Sequence, residues 1–152
     1  MTLSEQLHEV PEDLSALAWV ADELRRTLEL AHKALRRHAR EIETATPGQP
    51  VDAAASAALQ QAKTLFHQGA GALDMVGQPE GGRMLRASEQ AVQRLSANPR
   101  DLDNAAITHI ERSSFALLDF LRRRLAGRAV SPLALFPQYR AVQELAELRA
   151  QQ

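Results

Sequence analysis

A single histidine in this sequence has two glycines close beside it. His67 lies in the stretch LFHQGAGALDMVG, residues 65–77, together with Gly69 and Gly71. A neutral imidazole can act as a nucleophile and can exchange a proton near neutral pH. A glycine inside a helix costs about 1 kcal/mol relative to alanine. Two such glycines therefore indicate that close approach is more important here than helix stability.

The face of the helix that carries His67 is small and polar. On a helical wheel it comprises Lys63, His67, Ala70, Gly71 and Asp74. The side chain one turn further on would ordinarily cover the space beside His67, and Gly71 leaves that space empty. The pattern predicts an exposed imidazole that a partner surface or a phosphoryl group could reach. The alternative is an ordinary surface histidine beside glycines that serve packing alone; Gly69, nearer the apolar stripe, is predicted to serve packing.

The composition is that of a single globular domain. The 152 residues include 45% hydrophobic and 24% charged side chains, no cysteine, and a formal net charge of −1. A disulfide framework and cysteine-ligated zinc are therefore excluded. The sequence shows no secretory leader and no run of about 20 apolar residues that could span a membrane. We expect a cytoplasmic protein without membrane insertion.

Prolines and apolar periodicity divide the chain into helices. The prolines are predicted to mark helix starts and stops, at Pro11, Pro47, Pro50, Pro79, Pro99, Pro132 and Pro137. Between them, apolar residues recur at alternating steps of three and four. This pattern predicts helices over about 12–43, 52–76, 80–97 and 102–126, with a short last helix after Pro137. Gly77 and Gly127 are predicted helix ends, and Asp101 is the predicted cap of the fourth helix.

These elements predict an all-α fold. Short connections favour antiparallel neighbours, so the expected architecture is an up-and-down four-helix bundle with a C-terminal helical extension. We expect a flexible N-terminus at 1–11, the bundle at 12–128 and the extension at 129–152. Trp19 is predicted to be a packing anchor, and Phe136 and Tyr139 are predicted to hold the last helix against the bundle.

The spacing of His67, Gly71 and Gly77 resembles a known signature. It is similar to the histidine-phosphotransfer (Hpt) motif H-x-x-K-G-x-x-x-x-x-G, found on the second helix of a four-helix bundle. A second resemblance is carried by four longer strings, namely LSALAWVADELRRTLELAHKAL, LFHQGAGALDMVG, ERSSFALLDFL and LFPQYRAVQEL. They resemble the N-terminal Hpt-like region of the chemotaxis-type hybrid histidine kinases of type IV pilus systems (the PilL/ChpA class) and the related FimL-like proteins.

The resemblance implies a signal-transduction module of a bacterial chemosensory pathway that controls twitching motility. The implied fold is a bundle of histidine-phosphotransfer type. In such domains the exposed histidine takes a phosphoryl group from a kinase or a receiver aspartate, and the partner's Mg²⁺ and aspartate supply most of the chemistry. By position, His67 would be the phosphoacceptor of a His-Asp phosphorelay and Gly71 would give access.

This chain departs from the motif at one position. The lysine of the signature is replaced by Ala70, Asp74 adds negative charge, and Lys63 is the cation that could substitute in part. We therefore expect a degenerate domain that docks a response-regulator receiver domain, or a kinase or scaffold protein, through His67, Lys63, Gly71 and Asp74. An active phosphoryl carrier and a purely structural bundle of a longer kinase remain open alternatives.

Other kinds of site have little support in the sequence. No ATP-binding domain is present, so we expect neither kinase activity nor any other enzymatic activity of this chain itself. Charge is balanced and only 4% of residues are aromatic, so nucleic-acid binding is not expected. His32 and His38 do not have the spacing of metal ligands on one helix. No metal and no cofactor are expected, and the oligomeric state stays open.

Overall fold

A computed structural model describes the backbone of residues 3–44, 53–128 and 130–150. These residues form five α-helices joined by turns and loops, without strands in the described ranges, as the periodicity predicted. The helices are α1 (Leu3–Thr44), α2 (Ala53–Met75), α3 (Pro79–Leu95), α4 (Asn104–Leu125) and α5 (Phe136–Ala150). A 3₁₀ turn at Pro99–Asp101 precedes α4, and another at Pro132–Leu135 leads into α5.

The first helix begins earlier than its apolar stripe suggested. α1 starts at Leu3 and continues through Pro11, so the predicted helix boundary there is wrong. Proline removes one backbone hydrogen bond and disfavours a helix interior. The backbone is nevertheless helical on both sides of Pro11, and Leu7 and Glu9 before it are residue types with good helix propensity. Most of the segment predicted as a flexible N-terminus therefore belongs to α1.

The helices surround one apolar core. α1 packs against α2 and α4, and α2 packs against α3; α5 packs against both α3 and α4, which touch each other more sparsely. Most core side chains come from apolar positions that recur at steps of three and four, and the largest fully buried ones are Phe66, Leu28, Leu35, Leu73, Met84, Leu85, Leu102, Ile107, Ile110, Leu117 and Leu121. His38, placed on the α1 stripe, is also fully buried, and its Nε2 lies 3.3 Å from the Pro99 carbonyl oxygen.

Glycines end two of the helices as predicted. Gly77 follows α2 with φ +75°, and the N–H of Gln78 reaches back to the carbonyl of Leu73 at 2.8 Å. Gly127 closes α4 in the same way, with φ +77°. Glycine tolerates this left-handed conformation at little cost, and the resulting hydrogen bonds satisfy the last carbonyls of the helix. The tight Gly77 turn brings α3 back alongside α2.

The start of α4 differs from the prediction in one detail. Asp103, not Asp101, caps the helix, and its side chain accepts a hydrogen bond from the N–H of Ala106 at 2.9 Å. Asp101 instead ends the preceding 3₁₀ turn. A cap must sit in extended backbone just before the first helical residue, and the 3₁₀ turn moves that position along by two residues.

The C-terminal segment shares the core with the other helices. Leu135 and Leu145 belong to the main core cluster, and Val142 packs with Ala87 and Ala91 of α3. Tyr139 lies against this second cluster, as predicted, whereas Phe136 is half exposed. The segment that the sequence presented as an extension therefore fills the space where α3 and α4 diverge.

Trp19 is not the packing anchor that its residue type suggested. Its side chain is 68% exposed on the outer surface of α1. It lies off the stripe formed by Leu17, Leu24 and Leu28, so the helical wheel predicts its position better than its hydrophobicity does. Within the described residues, none of the helices combines the length and the apolarity needed to cross a membrane.

Candidate functional site: the His67 face

A row of polar contacts joins α2 and α3 along their outer side. The contacts are Lys63 with Gln93, His67 with Glu89, and Asp74 with Arg86. Residue numbers rise along α2 as they fall along α3, so the two helices are antiparallel. We call the surface formed by these six residues together with Gly71 the His67 face.

The imidazole of His67 stands in solvent, as predicted. Its side chain is 75% exposed, and Nδ1 lies 3.2 Å from Oε2 of Glu89 on α3. Glu89 is the better shielded partner, with a side chain 27% exposed. The carboxylate is thus held between the helices while the ring that it contacts remains open to a second molecule.

The contact with Glu89 sets the chemistry of the ring. A carboxylate accepts, so the neutral imidazole donates its Nδ1–H to Glu89 and carries its lone pair on Nε2. Among the described residues, the structure shows no partner for Nε2 of His67. The nitrogen with nucleophilic capacity is therefore the unoccupied one.

The two glycines near His67 serve different purposes. A Cβ at Gly71 would meet no atom within 4 Å, so the space beside the imidazole is open, as predicted. A Cβ at Gly69 would lie 2.9 Å from the Cδ1 atoms of both Leu24 and Leu85, so this glycine lets α1 and α3 approach α2 closely. Access to His67 and packing of the core are thus assigned to separate residues two positions apart.

Asp74 is occupied by a cation from the neighbouring helix. Arg86 donates to its carboxylate, and this hydrogen bond raises the pKa of Arg86. Gly82 makes the approach possible, because a Cβ there would lie 2.5 Å from Oδ1 of Asp74 and 3.3 Å from the carbonyl oxygen of Ala70. The negative charge that the sequence placed near His67 is therefore paired rather than free.

The helical wheel predicts that Ala70 lies on the His67 face, and this prediction is wrong. Ala70 is 1% exposed and belongs to the core cluster. A step of three residues rotates about 300° around the helix, which brings Ala70 towards α3, where the backbone of Gly82 lies. A side chain longer than alanine would have to pass out of this contact to reach solvent.

Lys63 is also less available than the sequence suggested. Lys63 lies one turn before His67, and its Nζ donates to Oε1 of Gln93 on α3. The cation that the sequence did not reveal is Arg86, which lies one turn from Glu89 on α3 and is attracted by its charge. The His67 face therefore contains charges of both signs, of which Asp74 and Arg86 are paired with each other, and no concentrated charge of one sign.

Three residues of this face were missed by sequence reasoning. Arg86, Glu89 and Gln93 recur at steps of three and four on α3, which is the signal of one polar stripe. That spacing could have identified the stripe. Its alignment with His67 depends on the register set by the Gly77 turn, which periodicity alone does not determine.

The described residues contain no group of three or more His, Cys, Asp or Glu side chains that could hold a metal ion.

Comparison with known proteins gives no further identification: no protein-family model, no curated protein and no solved structure matches the chain. The geometry of the His67 face and the motif that it carries are therefore the basis for a functional assignment.

Proposed function

We propose that the chain is an Hpt-like signalling module of a bacterial chemosensory pathway that controls type IV pili. In this proposal α1–α4 form the four-helix bundle of the histidine-phosphotransfer type and α5 is an addition to it. The His67 face docks the receiver domain of a response regulator, or a kinase or scaffold protein, in the cytoplasm. The pathway assignment rests on the resemblance of the sequence strings, and the surface assignment rests on geometry.

The observation that carries the proposal is the open imidazole beside Gly71. A partner can approach His67 without displacing a side chain, because no atom lies near the Cβ position of Gly71. Around this opening the side chains are mutually paired, so they are already ordered before a partner arrives. Ordering side chains in advance reduces the entropic cost of association.

Docking without group transfer fits the charges of the face. A phosphoryl group on Nε2 of His67 would lie near Glu89, while Lys63 is bonded to Gln93 and Arg86 to Asp74. The lysine that the Hpt motif provides three residues after its histidine is Ala70 here, and Lys63, one turn before His67, is hydrogen-bonded to the neutral amide of Gln93. A face that carries charges of both signs suits recognition of a polar partner surface, with specificity set by complementary charge.

The second candidate function is an active phosphoryl carrier, and the contact between His67 and Glu89 favours it. Nε2 would attack the phosphorus of a partner's aspartyl phosphate, forming a P–N bond as the P–O bond to the aspartate breaks. The aspartate leaves as a carboxylate, and the imidazole becomes positively charged while Nδ1 keeps its proton. Glu89 would stabilise this charge from 3.2 Å away.

Binding measurements test the docking function. Calorimetric titration of the chain with receiver domains of the pathway should show association with the wild type. Gly71→Leu, which fills the opening, and His67→Gln should weaken it by about tenfold or more, since both change the centre of a desolvated contact. His109→Gln is the matched control, because His109 is exposed on α4. Equal affinity for all four proteins would contradict docking through this face.

Label transfer separates the two candidates. Receivers charged with a labelled phosphoryl group are mixed with the wild type, His67→Gln and Glu89→Gln. A docking module binds and remains unlabelled. A carrier becomes labelled on His67, loses the label in His67→Gln and is labelled more slowly in Glu89→Gln. Label that persists in His67→Gln would exclude the carrier function.

A further inference from the structure

A concave surface lies at the start of α3, beside α5, and does not include His67. We call it the α5 groove: about 460 Å³ in volume, it is lined by Glu80 and Arg83 of α3, by Pro132, Leu133 and Leu135 of the 3₁₀ turn, and by Phe136 and Tyr139 of α5. Its walls are mainly aliphatic and aromatic, and its charged residues both come from the first turns of α3. Nothing in the proposed docking function uses it.

The edge of the groove carries exposed apolar side chains. Leu133 is 77% exposed and Phe136 is 53% exposed, and the two are neighbours across the start of α5. Large apolar side chains gathered at a concave surface are typical of interaction sites, whereas single exposed ones are ordinary. Trp19 and Met75, by contrast, are exposed elsewhere on the molecule.

The groove is held in shape by buried neighbours. Leu135 at its floor is 4% exposed and belongs to the main core. Ser131 caps the 3₁₀ turn by accepting from the N–H of Leu133 at 3.2 Å. Tyr139 packs against Ala87 and Ala91, and its hydroxyl accepts from Nε2 of Gln143 at 2.8 Å. The exposed side chains therefore project from a rigid base.

The two charges beside the groove point to its occupant. Glu80 and Arg83 are one turn apart and exposed, and within the described part of the chain neither has an ion-pair partner. A two-fold axis perpendicular to α3 and passing between Glu80 and Arg83 would reverse the direction of α3 in a second copy. Glu80 of each copy would then face Arg83 of the other, so the surface is complementary in charge to itself.

We propose that the α5 groove is a symmetric interface between two copies of this chain. Phe136 of each copy inserts into the groove of the other, and Leu133 packs beside it. Two Glu80–Arg83 pairs flank this apolar centre and set the antiparallel orientation. The His67 face lies on the α2 side of α3 and stays open in both copies, so the inference goes beyond the proposed docking function and does not depend on it.

Sedimentation equilibrium over a range of concentrations tests the interface. The wild type should approach twice the mass of one chain, and Phe136→Asp should remain at the mass of one chain. Trp19→Asp is the matched control and should associate like the wild type. Circular dichroism confirms that each variant is folded. A wild type that stays at the mass of one chain at all concentrations, including one whose groove instead binds a peptide, overturns the proposal.

A charge exchange tests the orientation without touching the apolar centre. Arg83→Glu and Glu80→Arg each place like charges opposite one another at both pairs and should weaken association about tenfold. The double variant E80R/R83E restores opposite charges and should associate like the wild type. A mixture of the two single variants should form the mixed pair in preference to either alone. Failure of both restorations would overturn the proposed symmetric pairing.

Discussion

Two pairs of antiparallel helices each have a histidine where they pack together, and the two histidines differ in exposure and in hydrogen bonding. Between α2 and α3, His67 is exposed and is oriented by Glu89. Between α1 and α4, His32 is 8% exposed and its ring lies edge-on to Phe115, with the ring centroids 5.5 Å apart. Nε2 of His32 is buried without a hydrogen-bond partner. One histidine is available to a second molecule, and the other is part of the packing.

The polar contacts near the two histidines also differ in how far they are shielded from solvent. Arg36 bridges α1 and α4 by donating to Asn104 at 2.8 Å, to Thr108 at 3.1 Å and to Glu111. Its side chain is 34% exposed, and that of Glu111 is 19% exposed. Contacts shielded in this way stabilise the fold, whereas the exposed pairs of the His67 face contribute little to it. The difference predicts that substitutions on the His67 face change stability less than substitutions of Arg36.

The largest expected effect is on the α1–α4 side. Arg36→Ala removes hydrogen bonds to three residues of α4 and leaves the largely shielded carboxylate of Glu111 without its cation. We expect the free energy of unfolding to fall by about 1–3 kcal/mol, measured by urea titration. Arg25→Ala is the control, since the partners of Arg25 among the described residues are Asp22 and Glu29 of its own exposed helix face. That variant should lose less than about 0.5 kcal/mol. Equal losses of unfolding free energy in the two variants would contradict the distinction between shielded and exposed polar contacts.

The two glycines of α2 should respond with opposite signs. Gly71→Ala meets open space and should raise the free energy of unfolding by up to about 1 kcal/mol through helix propensity. Gly69→Ala pushes against buried Leu24 and Leu85, and overpacking of this kind costs about 1–3 kcal/mol, which exceeds the propensity gain. Thermal melts of both variants measure the difference. Stabilisation by both would show that Gly69 is not needed for packing.

Lowering the pH should reduce the free energy of unfolding through the buried His32. Burial lowers the pKa of His32 below 6.5, against the opposing charge of Glu111 and with a smaller lowering by Arg36. The unfolded chain therefore takes up a proton that the folded chain resists. The contribution of His32 is fully present above pH 6.5 and is lost as the pH falls through 6.5 towards the folded-state pKa.

His32→Gln removes the group responsible for this loss. The free energy of unfolding of the variant, measured by urea titration from pH 7.5 downwards, should decrease less steeply below pH 6.5 than that of the wild type. Parallel curves for the two proteins would mean that His32 is not protonated more readily in the unfolded chain. The result would then contradict the assignment of this histidine to the packing.

The smallest expected effect on stability is at the proposed site itself. His67→Gln replaces a ring that is 75% exposed and whose one polar contact within the described ranges is with Glu89. We expect a change in the free energy of unfolding within about 0.5 kcal/mol, because exposed pairs of this kind contribute little. A loss above 1 kcal/mol would mean that His67 has a structural role and would weaken the case for docking.

The helices could be predicted well from local patterns. Apolar periodicity and Gly77 place α2 within one residue of its observed bounds, Ala53–Met75, because both signals act over a single turn. The exposure of His67 and the opening at Gly71 follow from the same wheel. The apolar residues of α1 that recur at steps of three and four are buried at Leu17, Leu24, Leu28 and Leu35.

What could not be predicted depends on contacts between helices. Glu89 reaches His67 only because the Gly77 turn sets the register of α3 against α2. Ala70 looked polar-facing on an isolated helix and is buried because Gly82 allows α3 to approach it. The place of α5 between α3 and α4 likewise depends on how those helices diverge. None of these relations is encoded within one turn of sequence.

The most direct test of the docking claim is a nuclear magnetic resonance titration of the ¹⁵N-labelled chain with a receiver domain of the pathway. We expect the amide signals that shift to cluster at His67, Gly71, Arg86 and Glu89, with those around His32 and Phe115 unchanged. Shifts confined to the α1–α4 side, or no shifts at saturating receiver, would contradict the account.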